Sequence, residues 1–191
     1  MFEGVSVALV TPFRDGKLDE PALRGLIRFV LSQGVDGLVP TGSTGEAPAL
    51  TVEERERIWS IAVEEAKGRA FVVAGTGTNV TESSIALTRR AAALGVDGCM
   101  LSAPYYNKPT QPGLIAHFRA VADAVDIPLV IYNIPGRTGV NILPATVAEI
   151  AEHPRVAAIK EASGSLDQVT EILARGGITV LSGDDSLTLP M

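Results

Sequence analysis

The sequence predicts an α/β fold, a (β/α)8 barrel, from three observations. Continuous apolar runs alternate with amphipathic segments, which is typical of a parallel sheet covered by helices. The first apolar run leads into TPFRDGK and not into a Gly-x-Gly-x-x-Gly turn, which argues against the competing doubly wound dinucleotide fold. Polar, reactive side chains follow the ends of the apolar runs, and in a barrel the carboxyl ends of the strands converge on one site.

Seven apolar runs are expected to form strands. They are VSVALVTPF (5–13), GLVPT (37–41), FVVAGTG (71–77), GCMLSAP (98–104), PLVIYNI (128–134), RVAAIK (155–160) and ITVLSG (178–183). Six helix-like segments separate them, and the segment 51–68 opens with Thr51 and Glu54 in the spacing of a capping box. A (β/α)8 barrel typically has about 250 residues. We therefore expect residues 1–191 to form a single barrel domain that is C-terminally incomplete, with the eighth strand and the last helices missing.

The tetrapeptide Gly-Val-Asp-Gly occurs twice, at 34–37 and at 95–98, each time between a predicted helix end and a strand start. Two explanations are open. Glycine is common where a helix ends, so the match could reflect two similar turns. Alternatively, the tetrapeptide marks a structural repeat of two strand–helix units.

Composition excludes several functional classes. The formal net charge of −6 argues against general affinity for nucleic acid or for an anionic membrane. The single cysteine, Cys99, allows no internal disulfide and fits a reducing compartment. The N-terminus lacks the basic region of a signal peptide, and no apolar run approaches the roughly 18 residues of a membrane span. We expect a cytoplasmic protein.

The strand at 155–160 ends on Lys160, an unusual residue for a buried strand. Burial disfavours the charged ammonium group and lowers its pKa, and a neutral amine can add to a ketone to form a Schiff base. The alternative is a lysine whose amine reaches solvent or pairs with Glu161. Adjacent residues of a strand point to opposite faces, so Glu161 is expected to point away from Lys160.

Two further strand ends carry candidate site residues. The stretch IYNIPGRTG (131–139) places Tyr132 at a strand end and Arg137 in the loop that follows. Tyrosine can transfer a proton, and arginine can bind a carboxylate with two parallel hydrogen bonds. The stretch TGSTGEA (41–47) offers hydroxyls and backbone N–H groups that could bind a small anion, although it could equally be a simple turn.

Five motifs occur in a defined order: GSTGE (42–46), APYYNKP (103–109), YNIPGRTG (132–139), IKEASG (159–164) and SGDD (182–185). Together they resemble the dihydrodipicolinate synthase / N-acetylneuraminate lyase family of class I aldolases. The arginine of GRTG resembles the synthase branch more than the sialic acid lyases. The resemblance implies a lyase of lysine and diaminopimelate biosynthesis that condenses pyruvate with L-aspartate 4-semialdehyde. It also implies a homotetramer, a dimer of dimers, and no metal or organic cofactor.

The resemblance implies four catalytic residues. Lys160 would form the Schiff base with pyruvate. Tyr132 would relay protons, assisted by the hydroxyl of Ser43 and by Tyr106, which in this family reaches in from a neighbouring subunit.

It also implies three substrate-binding residues. Thr44 would bind the carboxylate of pyruvate, Arg137 would bind the carboxylate of the aldehyde, and Gly183 would line the pocket through its backbone. Two alternatives stay open. One is a pyruvate-dependent keto-acid or sialic-acid-type aldolase, and the other is an inactive, truncated barrel that acts only in subunit association.

Overall fold

The computed structural model describes residues 1–191, which form two compact units. The N-terminal unit comprises Phe2–Thr76 and Arg89–Cys99. The C-terminal unit comprises Met1, Gly77–Thr88 and Met100–Met191.

Nine strands and seven α-helices make up the chain. The strands are β1 (Ser6–Ala8), β2 (Phe13–Arg14), β3 (Lys17–Leu18), β4 (Gly37–Val39), β5 (Phe71–Gly75), β6 (Gly98–Ser102), β7 (Leu129–Asn133), β8 (Val156–Glu161) and β9 (Thr179–Ser182). The helices are α1 (Glu20–Ser32), α2 (Val52–Ala66), α3 (Thr81–Ala93), α4 (Gln111–Ala124), α5 (Pro135–Thr138), α6 (Pro144–Ala151) and α7 (Leu166–Arg175). Every predicted apolar run overlaps a strand, and every predicted connection contains a helix. None of these helices is both long enough and apolar enough to cross a membrane.

In the N-terminal unit, β1, β4 and β5 are hydrogen-bonded in that order and run parallel. Helices α1 and α2 contribute side chains that are fully buried, among them Leu23, Ile27 and Trp59. Helix α2 begins with the predicted capping box. The Thr51 hydroxyl accepts a hydrogen bond from the Glu54 N–H, and the Glu54 carboxylate accepts one from the Thr51 N–H.

The two Gly-Val-Asp-Gly motifs have the same local structure, which both explanations predict. The first glycine of each motif has a positive φ, +81° and +83° respectively. Asp36 exchanges two hydrogen bonds with Val5, through its carboxylate and its backbone N–H, each 2.8 Å long. Asp97 makes the same pair of bonds with Val72, at 2.8 and 2.9 Å. Asp36 therefore ties the start of β4 to the start of β1, and Asp97 ties the start of β6 to β5.

The first apolar run is shorter as a strand than predicted. Strand β1 ends at Ala8, and Phe13 pairs instead with Leu18 in the antiparallel hairpin β2–β3. The turn residues Asp15 and Gly16 have φ values of +51° and +73°, as a type I′ hairpin turn requires. This hairpin was not predicted, although the Asp-Gly pair is a sequence signal for such a turn.

In the C-terminal unit, the strand order is Met100–Ser102 of β6, then β7, β8 and β9, and the last three run parallel. The register pairs Tyr132 with Lys160, and Lys160 with Leu181. Fully buried side chains of this unit include Phe118 and Ile131. The carboxyl ends of β7, β8 and β9 thus lie side by side and bring together the residues that follow the apolar runs.

Candidate active site

Lys160 and Tyr132 meet at the carboxyl ends of β8 and β7. They are register partners, and Lys160 Nζ lies 4.4 Å from the centroid of the Tyr132 ring. Tyr132 is only 5% exposed, and Lys160 is half-buried. The aromatic face therefore forms one wall around the amine.

Burial shifts the pKa values of Lys160 and Tyr132 in directions that favour nucleophilic attack by the amine. Loss of solvation lowers the pKa of Lys160, which the Asp185 carboxylate partly opposes. Burial also raises the pKa of the Tyr132 hydroxyl, which the Arg137 guanidinium partly opposes. A larger share of Lys160 is therefore neutral, beside a phenol that keeps its proton. This pair can supply a nucleophile and a proton donor at one place.

Gly183 follows β9 and lies directly against Lys160. Its N–H donates a 2.8 Å hydrogen bond to the carbonyl of Glu161. A Cβ atom at this position would lie 3.0 Å from Lys160 Cγ, Lys160 Cε and Ala162 Cβ. The absence of a side chain at position 183 therefore leaves the space that the lysine chain occupies.

Arg137 lies on α5, the short helix that starts directly after β7, and its side chain is exposed. The helix ends at Gly139, whose φ of +75° closes the turn. The carbonyl of Thr138 accepts a 3.4 Å hydrogen bond from the N–H of Tyr106. Tyr106 has a φ of +74°, and 89% of its surface is exposed. The loop before α4 thus presents this ring to solvent next to α5.

Ser43 and Thr44 belong to the N-terminal unit, where both are exposed in the turn after β4. The Glu46 N–H donates to the Ser43 carbonyl at 3.2 Å, which closes the turn. The carbonyl of Gly45 accepts a 2.8 Å hydrogen bond from the buried hydroxyl of Thr11. The turn is therefore anchored to the core through Thr11, while the side chains of Ser43 and Thr44 are exposed.

Thr41, at the start of this turn, was not singled out from the sequence. Its φ of +53° is unfavourable for a β-branched residue, and it is 2% exposed. The Thr41 hydroxyl accepts a 2.7 Å hydrogen bond from Trp59 Nε1 and lies 3.0 Å from the Gly75 carbonyl. A Cβ on Gly75 would come within 2.1 Å of the Thr41 carbonyl oxygen. Trp59 and Gly75, both distant in sequence, thus hold the backbone at Thr41, from which the Ser43–Thr44 turn begins.

Glu161 points away from Lys160, as strand alternation predicts, and it is 1% exposed. Its carboxylate accepts hydrogen bonds from Asn133, Gln168 and the Ser163 N–H. The alternative in which Glu161 serves as the ion-pair partner of Lys160 is therefore wrong. The amide partners were missed, and the only signal for Asn133 was a polar residue inside an apolar run.

No cluster of three or more histidine, cysteine or acidic residues is arranged to hold a metal ion. The site chemistry described above rests on Lys160, Tyr132 and the groups around them.

Comparison with known proteins identifies relatives over the whole chain. Residues 1–191 match the model of the dihydrodipicolinate synthetase family. The 4-hydroxy-tetrahydrodipicolinate synthase of Pelobacter propionicus is 55% identical over 193 aligned residues, which cover all of this chain and 67% of that protein. The crystal structure of dihydrodipicolinate synthase from Aquifex aeolicus is 48% identical with a TM-score of 0.96, covering 99% of this chain and 66% of that one.

A third relative is the chloride-inhibited dihydrodipicolinate synthase of Acinetobacter baumannii, solved in complex with pyruvate. It is 41% identical with a TM-score of 0.97, covering all of this chain and 66% of that one. This chain thus spans about two thirds of the length of these relatives. The predicted barrel class and the predicted lyase family are confirmed. The chain belongs to the dihydrodipicolinate synthetase family.

Proposed function

We propose that Lys160 forms a Schiff base with pyruvate, and that the protein condenses this adduct with L-aspartate 4-semialdehyde to 4-hydroxy-tetrahydrodipicolinate in lysine biosynthesis. The observation that carries the proposal is the half-buried amine of Lys160, 4.4 Å from the ring centroid of a buried tyrosine at adjacent strand ends. A lysine with a lowered pKa beside a protonated phenol is the pair that imine formation needs. The pyruvate complex of the relative from Acinetobacter baumannii supports the choice of ketone.

The chemistry begins with attack of the neutral Lys160 amine on the C2 carbonyl of pyruvate. Tyr132 donates a proton to the oxygen of the resulting carbinolamine, and loss of water leaves the imine. Removal of a C3 proton converts the imine to an enamine, whose carbon attacks the aldehyde. The amino group of the semialdehyde then displaces the lysine amine as the ring closes, so Lys160 is regenerated.

The other roles are carried over from the family resemblance. Ser43 and Tyr106 would take part in proton transfer with Tyr132, the latter from a neighbouring subunit of a homo-oligomer. The exposure of Tyr106, at 89%, supports a role outside its own subunit. Thr44 would bind the carboxylate of pyruvate.

Arg137 is proposed to bind the carboxylate of the aldehyde. Its guanidinium is exposed on α5, close enough to affect the pKa of Tyr132. Gly183 would line the pocket through its backbone, and its contact with the Lys160 chain supports that position.

Borohydride reduction in the presence of pyruvate, followed by peptide mass mapping, tests the Schiff base. We expect one reduced pyruvate on Lys160, no adduct in Lys160→Arg, and an unchanged adduct in Lys17→Arg, which replaces an exposed lysine of the β2–β3 hairpin. An adduct on a different lysine, or none on the folded protein, would contradict the proposal.

The aldehyde partner needs a separate test. Arg137→Ala should keep the reduced pyruvate adduct on Lys160 but lose most of the condensation with L-aspartate 4-semialdehyde, because only the second carboxylate loses its partner. Arg137→Lys keeps the positive charge but loses the planar guanidinium, so its rate of condensation should lie between those of the parent protein and Arg137→Ala. If the alanine variant loses pyruvate trapping to the same extent as condensation, the assigned role of Arg137 is wrong.

A further inference from the structure

The buried carboxylate of Glu161 is surrounded only by neutral hydrogen-bond donors. Oε1 accepts from the Ser163 N–H at 2.7 Å and from Asn133 Nδ2 at 3.2 Å. Oε2 accepts from Asn133 Nδ2 at 3.0 Å and from Gln168 Nε2 at 3.1 Å. A buried carboxylate is costly unless its lone pairs are satisfied. Here each oxygen accepts two hydrogen bonds, and the Asn133 amide is shared between the two oxygens.

Three amides extend this cluster into a closed network. Asn133 Nδ2 also donates to Asn141 Oδ1 at 2.8 Å, and Asn141 Nδ2 donates to Gln168 Oε1 at 2.7 Å. Asn133 Oδ1 accepts from the Ile142 N–H at 3.0 Å. Each amide therefore uses both its oxygen and its nitrogen within the network. A reversal of any one amide would place two donors or two acceptors against each other.

The network joins the elements that carry the proposed active site. Asn133 directly follows Tyr132 on β7, and Glu161 directly follows Lys160 on β8. Across the two strands, Tyr132 is the register partner of Lys160, and Asn133 is the register partner of Glu161. The network therefore joins the ends of β7 and β8 on one face of the sheet, and the amine of Lys160 and the phenol of Tyr132 lie on the opposite face.

We propose that Glu161 and Asn133 are positioning residues that hold Lys160 over the Tyr132 ring by locking the ends of β7 and β8 together. The inference rests on the proposed function for its catalytic consequence. Its structural part, the placement of Lys160, can be measured without pyruvate.

Glu161→Gln is the sharpest perturbation, because it keeps the size of the side chain and replaces one oxygen by a donor. Both carboxylate oxygens face donors, so either orientation of the new amide puts N–H against N–H. The double variant Glu161→Gln/Gln168→Glu restores an acceptor opposite the new amide. The carboxylate introduced at position 168 can also accept the hydrogen bond from Asn141 Nδ2. Glu171→Gln, which removes an exposed carboxylate on the same helix as Gln168, is the matched control.

Competitive acetylation of Lys160 as a function of pH, read by peptide mapping, reports the pKa of its amine. Loosened strand ends should hydrate Lys160, so Glu161→Gln should raise this pKa toward the ordinary value of about 10.4. Loss of a nearby negative charge alone would instead lower it. The sign of the change therefore separates positioning from a purely electrostatic effect.

We expect Glu161→Gln to raise the pKa of Lys160 and to slow pyruvate trapping about 10- to 100-fold. The double variant should recover most of both, and Glu171→Gln should match the parent protein. Gln168→Leu, at the partly exposed edge of the network, provides a milder variant with a change of the same sign if Glu161→Gln does not fold.

An unchanged or lowered pKa of Lys160 in the folded Glu161→Gln protein would overturn the inference, and so would a double variant that recovers nothing. Failure of the parent protein to trap pyruvate would instead refute the proposed function. The acetylation curves would still decide whether Glu161 positions Lys160.

Discussion

His117 should make the protein less stable as the pH falls below neutral. The side chain is 6% exposed on α4, and burial lowers its pKa to about 4, which the nearby Glu82 carboxylate partly opposes. Nδ1 lies 2.9 Å from the Thr81 hydroxyl, whereas the buried Nε2 has no hydrogen-bond partner. Protonation in the folded state would therefore bury a charge and an unsatisfied N–H together.

The sign and size follow from linkage. The ordinary pKa of histidine is 6.5 and the folded value is about 4, so the unfolded chain binds more protons between these values. Stability is therefore fully present above pH 6.5 and is lost as the pH falls toward 4. At about 1.4 kcal/mol for each pH unit, the loss due to His117 reaches about 3 kcal/mol.

Urea unfolding followed by circular dichroism at several pH values between 7 and 4 measures this term. His117→Gln cannot titrate, so its free energy of unfolding should fall less steeply with acid than that of the parent protein. At pH 7 the variant should be less stable by about 1 kcal/mol, because the contact with Thr81 is altered. The difference should shrink and then change sign as the pH falls.

Parallel curves for His117→Gln and the parent protein would refute this reasoning. The other histidine provides a control for the substitution itself. His153 lies near the end of α6, where its Nε2 is 3.2 Å from an exposed Asp123 carboxylate. If the free energy of unfolding fell less steeply with acid in His153→Gln but not in His117→Gln, the assignment of the effect to His117 would be wrong.

Three further substitutions have predicted effects, two of them on pyruvate trapping in the C-terminal unit and one on stability through the N-terminal unit. Asp185→Asn removes the carboxylate that raises the pKa of Lys160, so the rise of pyruvate trapping with pH should move to lower pH in that variant. Gly183→Ala should slow trapping about 10- to 100-fold without loss of fold, since its Cβ would lie 3.0 Å from two carbons of the Lys160 chain; a normal rate would refute the contact. Trp59→Phe should lower the free energy of unfolding by about 2 kcal/mol, because the 2.7 Å hydrogen bond to Thr41 and part of the packing are lost; chemical denaturation measures it.

The elements of the fold could be predicted because their signals are local. Apolar runs and the Thr51–Glu54 capping box each depend on a few neighbouring residues. The left-handed Thr41 could not be predicted, because the backbone energy of a threonine alone opposes it. Its stabilisation comes from Trp59 and Gly75, which lie 18 and 34 residues away.

The same distinction applies to the candidate site. Lys160 and Tyr132 could be predicted because each ends an apolar run, where a polar side chain is conspicuous. Their separation depends on the register of β7 and β8, which single strands do not reveal. Gln168 gave no signal at all, since a polar residue in the first turn of a helix is ordinary.

The end of β8 combines two opposite solvation requirements in adjacent residues. Lys160 is useful as a nucleophile only if it is poorly solvated, which a network of strong hydrogen bonds around its amine would prevent. Glu161 can be buried only if it is fully hydrogen-bonded. A strand turns successive side chains to opposite faces, so the two requirements do not compete. The residue that anchors the strand can therefore lie directly beside the residue that must stay loosely solvated, and a substitution on the anchored face should be felt at the amine.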